Sequence, residues 1–185
     1  VKVLYTRDKD VFVELNERAN VANRNNADLF ISIHVNSVDG NTSSHGTETF
    51  VMGLHKNDAN LAVAKRENSV ILQEDNYSSK YDGFDPNDPE SNIIFSLFQN
   101  AYSDQSLLLA ASVEDEFKSS IKRYDRGVKQ AGFLVLWKTA MPSILTELGF
   151  ISNPEEEKYL KSDAGQTELA ISIYNAFAKY KSQYD

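Results

Sequence analysis

Leu29-Phe30-Ile31-Ser32-Ile33-His34-Val35 reads as a β-strand that is apolar on both faces except at Ser32. Strands of that kind are buried on both sides and belong to the centre of a sheet, most often a parallel one. Upstream, Val13 to Asn25 has helical spacing, with Leu15, Ala19 and Ala22 on one face, and Asn25-Asn26-Ala27-Asp28 is a turn. Lys2 to Thr6, Gly46 to Met52, Gly132 to Trp137 and Ser143 to Leu148 read as further strands. Asn57 to Gln73, Glu90 to Ala101 and Ser106 to Phe117 read as helices, and Asn76 to Pro89, with Pro86 and Pro89, as a loop. Asn153-Pro154-Glu155-Glu156-Glu157 is a helix start: Asn153 can cap, Pro154 suits the first turn and the glutamates suit the positive end of the dipole. A last helix from about Ala164 to Ser182 carries the stripe Leu169, Ile173, Phe177, Tyr180, with Asp163 and Gln166 as possible caps. Strands alternating with helices give an α/β fold: a mostly parallel twisted sheet flanked by helices, with a helical insertion.

Composition narrows the function. The 185 residues suit a single domain. The net charge of −8 argues against non-specific nucleic-acid binding, which needs Lys and Arg to replace counterions. Between Leu54 and Asp125 there are 13 acidic and 7 basic residues, so −6 of the charge lies there, as in a solvated insertion. With no cysteine, disulfides, Cys-ligated zinc and thiol catalysis are excluded. No apolar run approaches the roughly 18–20 residues of a membrane span. No Gly-x-Ser-x-Gly elbow of a serine hydrolase occurs.

In parallel sheets, ligands sit beyond the carboxyl ends of the strands. His34 and Glu147 occupy those ends and would share one edge. A carboxylate in the apolar run Ile144 to Phe150 is costly unless paired, metal-bound or protonated. A His and a carboxylate there fit a metal-assisted hydrolase. A lone His beside apolar residues is also a common core residue, and spacing leaves both readings open.

Longer blocks carry a resemblance. Leu4-Tyr5-Thr6-Arg7, Leu15-Asn16-Glu17-Arg18, Ala22-Asn23, Ala27 to Asn36, Arg126-Gly127-Val128-Lys129, Phe133 to Leu136 and Pro142 to Pro154 resemble, in order, the zinc-dependent N-acetylmuramoyl-L-alanine amidases of cell division. The resemblance implies a peptidoglycan hydrolase that cuts the amide between N-acetylmuramic acid and L-alanine with a Zn2+-activated water. It makes His34 a metal ligand and Glu147 the catalytic residue that takes a proton from the water and passes it to the leaving amine. Asn36 either orients substrate or holds a loop. The family's other His and Glu ligands lie in blocks preceding the strand that opens this chain, so residues 1–185 are expected to be an N-terminally incomplete catalytic domain. His45 and His55 do not match the absent ligand and are expected at the surface.

The segment from about Leu54 to Ser120 resembles the regulatory insertion of a Bacteroidetes-type member. Ala64-Lys65-Arg66-Glu67-Asn68 resembles its blocking helix, which implies that Glu67 is an inhibitory zinc ligand displaced by an activator protein. The plain alternative is a solvated Glu on an acidic helix. The substrate implies a periplasmic or secreted protein. A catalytically inactive peptidoglycan-binding or scaffold fragment is the competing reading.

Overall fold

The computed structural model describes residues 1–97 and 101–183. It contains a four-stranded sheet of β1 (Phe30–Asn36), β2 (Thr47–Met52), β3 (Asp125–Ala131) and β4 (Ser143–Phe150), in the order β1-β4-β2-β3. Phe30 N donates to Pro142 O and Ile151 N to Asn36 O, so β1 and β4 are joined start to start and end to end, as parallel strands are. Thr47 N to Tyr124 O and Gly53 N to Ala131 O join β2 and β3 in the same sense. Between them, β2 runs antiparallel to β4, with Glu48 opposite Glu147, Thr49 opposite Thr146 and Phe50 opposite Leu145. The α/β class is as the sequence reads, and the sheet is mixed.

The helices are α1 (Leu15–Arg24), α2 (Asp58–Asn68), α3 (Tyr77–Lys80), α4 (Pro89–Ser96), α5 (Ser103–Ser120), α6 (Leu134–Trp137), α7 (Pro154–Lys161) and α8 (Asp163–Lys181), with a 3-10 turn at Ser69–Gln73. Two readings shift. Gly132–Trp137 is the one-turn helix α6 and its approach, and the strand lies just before it, at Asp125–Ala131. Lys2–Thr6 has no regular structure, and Val3, Leu4 and Tyr5 are exposed. The helix expected to run to Ala101 is observed as α4, and its residues 98–100 lie outside the described ones.

The chain divides into two compact units: residues 1–30, 52–103 and 130–143, and residues 31–51, 104–129 and 144–185. The segment read as an insertion, 54–120, is therefore shared, its last helix α5 falling from Asp104 onward in the second unit.

In the first unit the start of α1 is held by the chain beyond α2. Glu14 gives α1 no side-chain cap. Instead Leu15 N donates to Glu74 Oε1 at 3.0 Å, Asn16 N to the Tyr81 hydroxyl at 3.1 Å, and that hydroxyl to Glu74 Oε2 at 2.9 Å. A carboxylate at a helix N-terminus satisfies orphan N–H groups and faces the positive end of the dipole. Burial pushes the Tyr81 phenol above its usual range, with Glu74 adding to the shift, so it stays a donor. The end of α2 is fixed by buried Asn68, whose Nδ2 donates to Gly132 O at 2.7 Å and whose Oδ1 accepts from Leu134 N at 2.9 Å. Phe84, Phe95 and Trp137 form a chain of ring contacts, each 5.0 Å between centroids.

In the second unit, buried Phe50, Val51, Ile144, Leu145 and Phe150 on the strands, Leu109, Val113 and Phe117 on α5, and Leu169 and Ala176 on α8 make the core. Asn153 caps α7 as read, accepting from Glu155 N at 3.0 Å. Ser162, and neither Asp163 nor Gln166, caps α8 through Gly165 N. Replacing Glu74 with Ala removes a buried charged acceptor shared by Leu15 N and Tyr81, and should lower stability by about 2–3 kcal/mol in urea unfolding.

Candidate functional site

Glu147 lies past the middle of β4 and is 0% exposed. His34, half-buried near the end of parallel neighbour β1, brings a ring nitrogen within 4.8 Å of a Glu147 carboxylate oxygen. The two residues that the sequence places at one sheet edge are thus brought together. Imidazole nitrogen and carboxylate oxygen are both donor types that zinc accepts, so the pair fits a zinc site.

Glu48 was not singled out from the sequence, and it stands beside Glu147 in the β2–β4 register. Directly opposed residues of an antiparallel pair carry their side chains on one face, with Cβ atoms roughly 4.5–5.5 Å apart. Glu48 is 2% exposed and is held on three sides. It accepts from Asn36 Nδ2 at 2.7 Å through Oε1, and from Arg126 Nε at 3.0 Å and Lys129 Nζ at 2.5 Å through Oε2. The signal was present in the sequence: an acidic residue within Gly46 to Met52 carries the same desolvation cost that drew attention to Glu147.

Asn36 is buried, and its Oδ1 also accepts from Ser37 N at 2.7 Å. His45 is exposed beside the Tyr124 ring, and His55 is half-buried. Glu67 lies in the last turn of α2, half-buried, and pairs with Arg66 at 2.9 Å.

The opposite face of β2 and β4 carries a second polar group. Thr49 and Thr146, in register, are linked hydroxyl to hydroxyl at 3.1 Å. Glu114 of α5 accepts from Thr47 at 2.9 Å and from Thr49 at 2.6 Å. Burial drives its pKa up to about 7 against the two threonine hydrogen bonds, which lower it. A further buried carboxylate, Glu156 of α7, accepts from Arg123 at 2.7 and 2.5 Å and from Gly46 N and Phe150 N. It fixes the turns flanking the site strands. A Cβ at Gly149 would stand 2.7 Å from Glu156 Oε2 and 3.0 Å from Arg123 Nη2, so a larger residue there would push against that ion pair.

The raised Glu114 pKa gives a signed prediction. The folded state binds the proton more tightly than the unfolded chain, so this contribution is full below about pH 4.5 and declines up to about pH 7. Relative to Glu114→Gln, the wild type should lose up to about 1.4 kcal/mol of stability per pH unit across that window. Urea unfolding of both proteins from pH 4.5 to 8 checks this, and a constant difference would refute it.

Residues 1–179 match the family model described as N-acetylmuramoyl-L-alanine amidase. The chain is 32% identical over 183 residues to the amidase AmiA of Salmonella typhimurium and 31% identical to AmiA of Escherichia coli, in each case covering 97% of this chain and 61% of the relative. It thus spans less than two thirds of the length of these proteins. Among solved structures, it superposes on an N-acetylmuramoyl-L-alanine amidase of Clostridium difficile with TM-score 0.66 at 26% identity, covering 95% of this chain and 69% of that one. The amidase AmiC2 of Nostoc punctiforme gives TM-score 0.62 at 28% identity, covering 96% and 71%.

Proposed function

This chain belongs to the N-acetylmuramoyl-L-alanine amidase family, and from that premise we propose that it carries the catalytic Glu and one metal ligand of a zinc-dependent peptidoglycan amidase. The reaction is hydrolysis of the amide between the lactyl group of N-acetylmuramic acid and the L-alanine of the stem peptide. The observation that carries the reading is the approach of His34 and Glu147 within 4.8 Å on neighbouring parallel strands.

His34 would hold the zinc, which when bound supplies Lewis acidity for the attacking water and the scissile carbonyl. Glu147 takes the proton from that water and returns it to the departing L-alanine amine. Its enclosure suits both steps, because a buried carboxylate has no surrounding solvent to compete for the proton. By resemblance, a further His and a Glu would complete the ligand set. The same resemblance supports a member of the cell-division branch, of Bacteroidetes type, acting in the periplasm or after secretion. Among the described residues, no helix is long and apolar enough to cross a membrane.

In the complete protein, Glu147→Gln should keep zinc and lower peptide release from peptidoglycan by about 10²–10⁴-fold. His34→Ala should lose zinc, read by metal analysis. Full activity in Glu147→Gln, or full zinc content in His34→Ala, would refute the assignments. Binding to peptidoglycan without cleavage by the wild type would favour a scaffold.

Regulation follows from α2. We propose that Glu67 is an inhibitory zinc ligand, withdrawn when an activator protein engages the 54–120 segment. The helix end that carries it is anchored through Asn68, so Glu67 is presented from a fixed backbone. An activator would shift the population only by binding the withdrawn form better than the blocked one. Glu67→Ala should raise basal activity, and unchanged or lower activity would sink the idea.

A further inference from the structure

Arg126 and Lys129 are three residues apart on β3, and a regular strand would turn them to opposite faces. Both nevertheless reach Glu48 Oε2. The break between them is Gly127, with φ of +81° and its N–H donating to Asp125 Oδ1 at 2.7 Å. A positive φ resets the alternation of the strand, and a residue with a side chain resists it.

The result is two cations on one buried carboxylate, with the Glu147 carboxyl on the neighbouring strand. The Arg126 and Lys129 side chains keep 32% and 21% exposure, whereas that of Glu48 keeps 3%. Arg126 lies over the Phe150 ring at 4.9 Å. A cationic pair held this way on a protein of net charge −8 is arranged to meet an anion.

We propose that Arg126 and Lys129, braced on Glu48, bind a free carboxylate of the stem peptide next to the bond that is cut. The proposal rests on the amidase reading above. Glu48 is the cross-strand neighbour of Glu147, and successive strands are about 4.8 Å apart, so the cations lie within roughly two strand spacings of Glu147. An extended peptide advances about 3.3–3.6 Å per residue. A carboxylate on the second residue of the stem, the D-glutamate α-carboxylate, therefore falls within their reach. Glu48 and Gly127 act as positioning residues for the pair.

The test uses the complete zinc-loaded protein and two free stem peptides that begin L-alanine-γ-D-glutamate. They are identical except that the glutamate α-carboxylate is free in one and amidated in the other. Calorimetry should show the free acid binding at least about tenfold more tightly, an advantage that shrinks as salt rises. Lys129→Met and Arg126→Met should each reduce that preference to within about threefold, with little change for the amidated peptide. Equal affinity of the wild type for the two peptides, or no binding of either, would overturn the subsite without reference to any variant's folding. Cleavage is read separately: a preserved peptide preference without cleavage overturns the hydrolase reading alone, and cleavage without the preference overturns the subsite alone.

Discussion

Two acidic residues stand side by side on adjacent antiparallel strands, Glu48 on β2 and Glu147 on β4, and both are buried. Neighbouring like charges in a sheet interior are strongly unfavourable without compensation. Much of the second unit can be understood as that compensation. Asn36 comes from the end of β1, and Arg126 and Lys129 from β3, to hold Glu48, while His34 stands against Glu147. A one-residue slip of β2 against β4 would exchange the two faces of the strand, putting the threonines where the carboxylates stand. The register is thus what assembles the site.

The far face enforces the same register. Thr49 pairs with Thr146, and Glu114 takes the hydroxyls of Thr47 and Thr49 from below. A buried polar network that is satisfied in one alignment disfavours the others. Helix α5, which ends the acidic stretch of the sequence, is therefore tied to the far face of β2, a link through which the pH dependence of stability enters the fold.

The sequence made part of this legible. β1 and β4 were visible because each is a continuous apolar run, and His34 and Glu147 stood out as exceptions in those runs; only β4 is buried on both faces, while β1 stands at one end of the strand order with Ile33 and Val35 exposed. β3 was not visible, for the opposite reason. Asp125-Arg126-Gly127-Val128-Lys129-Gln130-Ala131 is half-buried, and its polar side chains serve Glu48 and the turn at Gly127. The apolar Phe133 to Leu136 that follows looked like the strand and is a buried single turn of helix, a case that a short apolar run cannot decide. The antiparallel β2–β4 pairing was likewise hidden, because local pattern reports burial and says nothing of strand direction. Glu48 was within reach of the reasoning applied to Glu147. Its partners were not, since Asn36, Arg126 and Lys129 are spread over 94 positions and only the fold brings them together.

The central claim is that this constellation serves cleavage of the muramoyl–alanine amide, and the chemical identity of the new ends decides it. Purified peptidoglycan would be digested with the complete zinc-loaded protein and the products sequenced by mass spectrometry. The account predicts peptides with a free L-alanine amino terminus and glycan strands of unchanged length. New reducing sugar ends, or new amino termini only within the stem peptide, would contradict it.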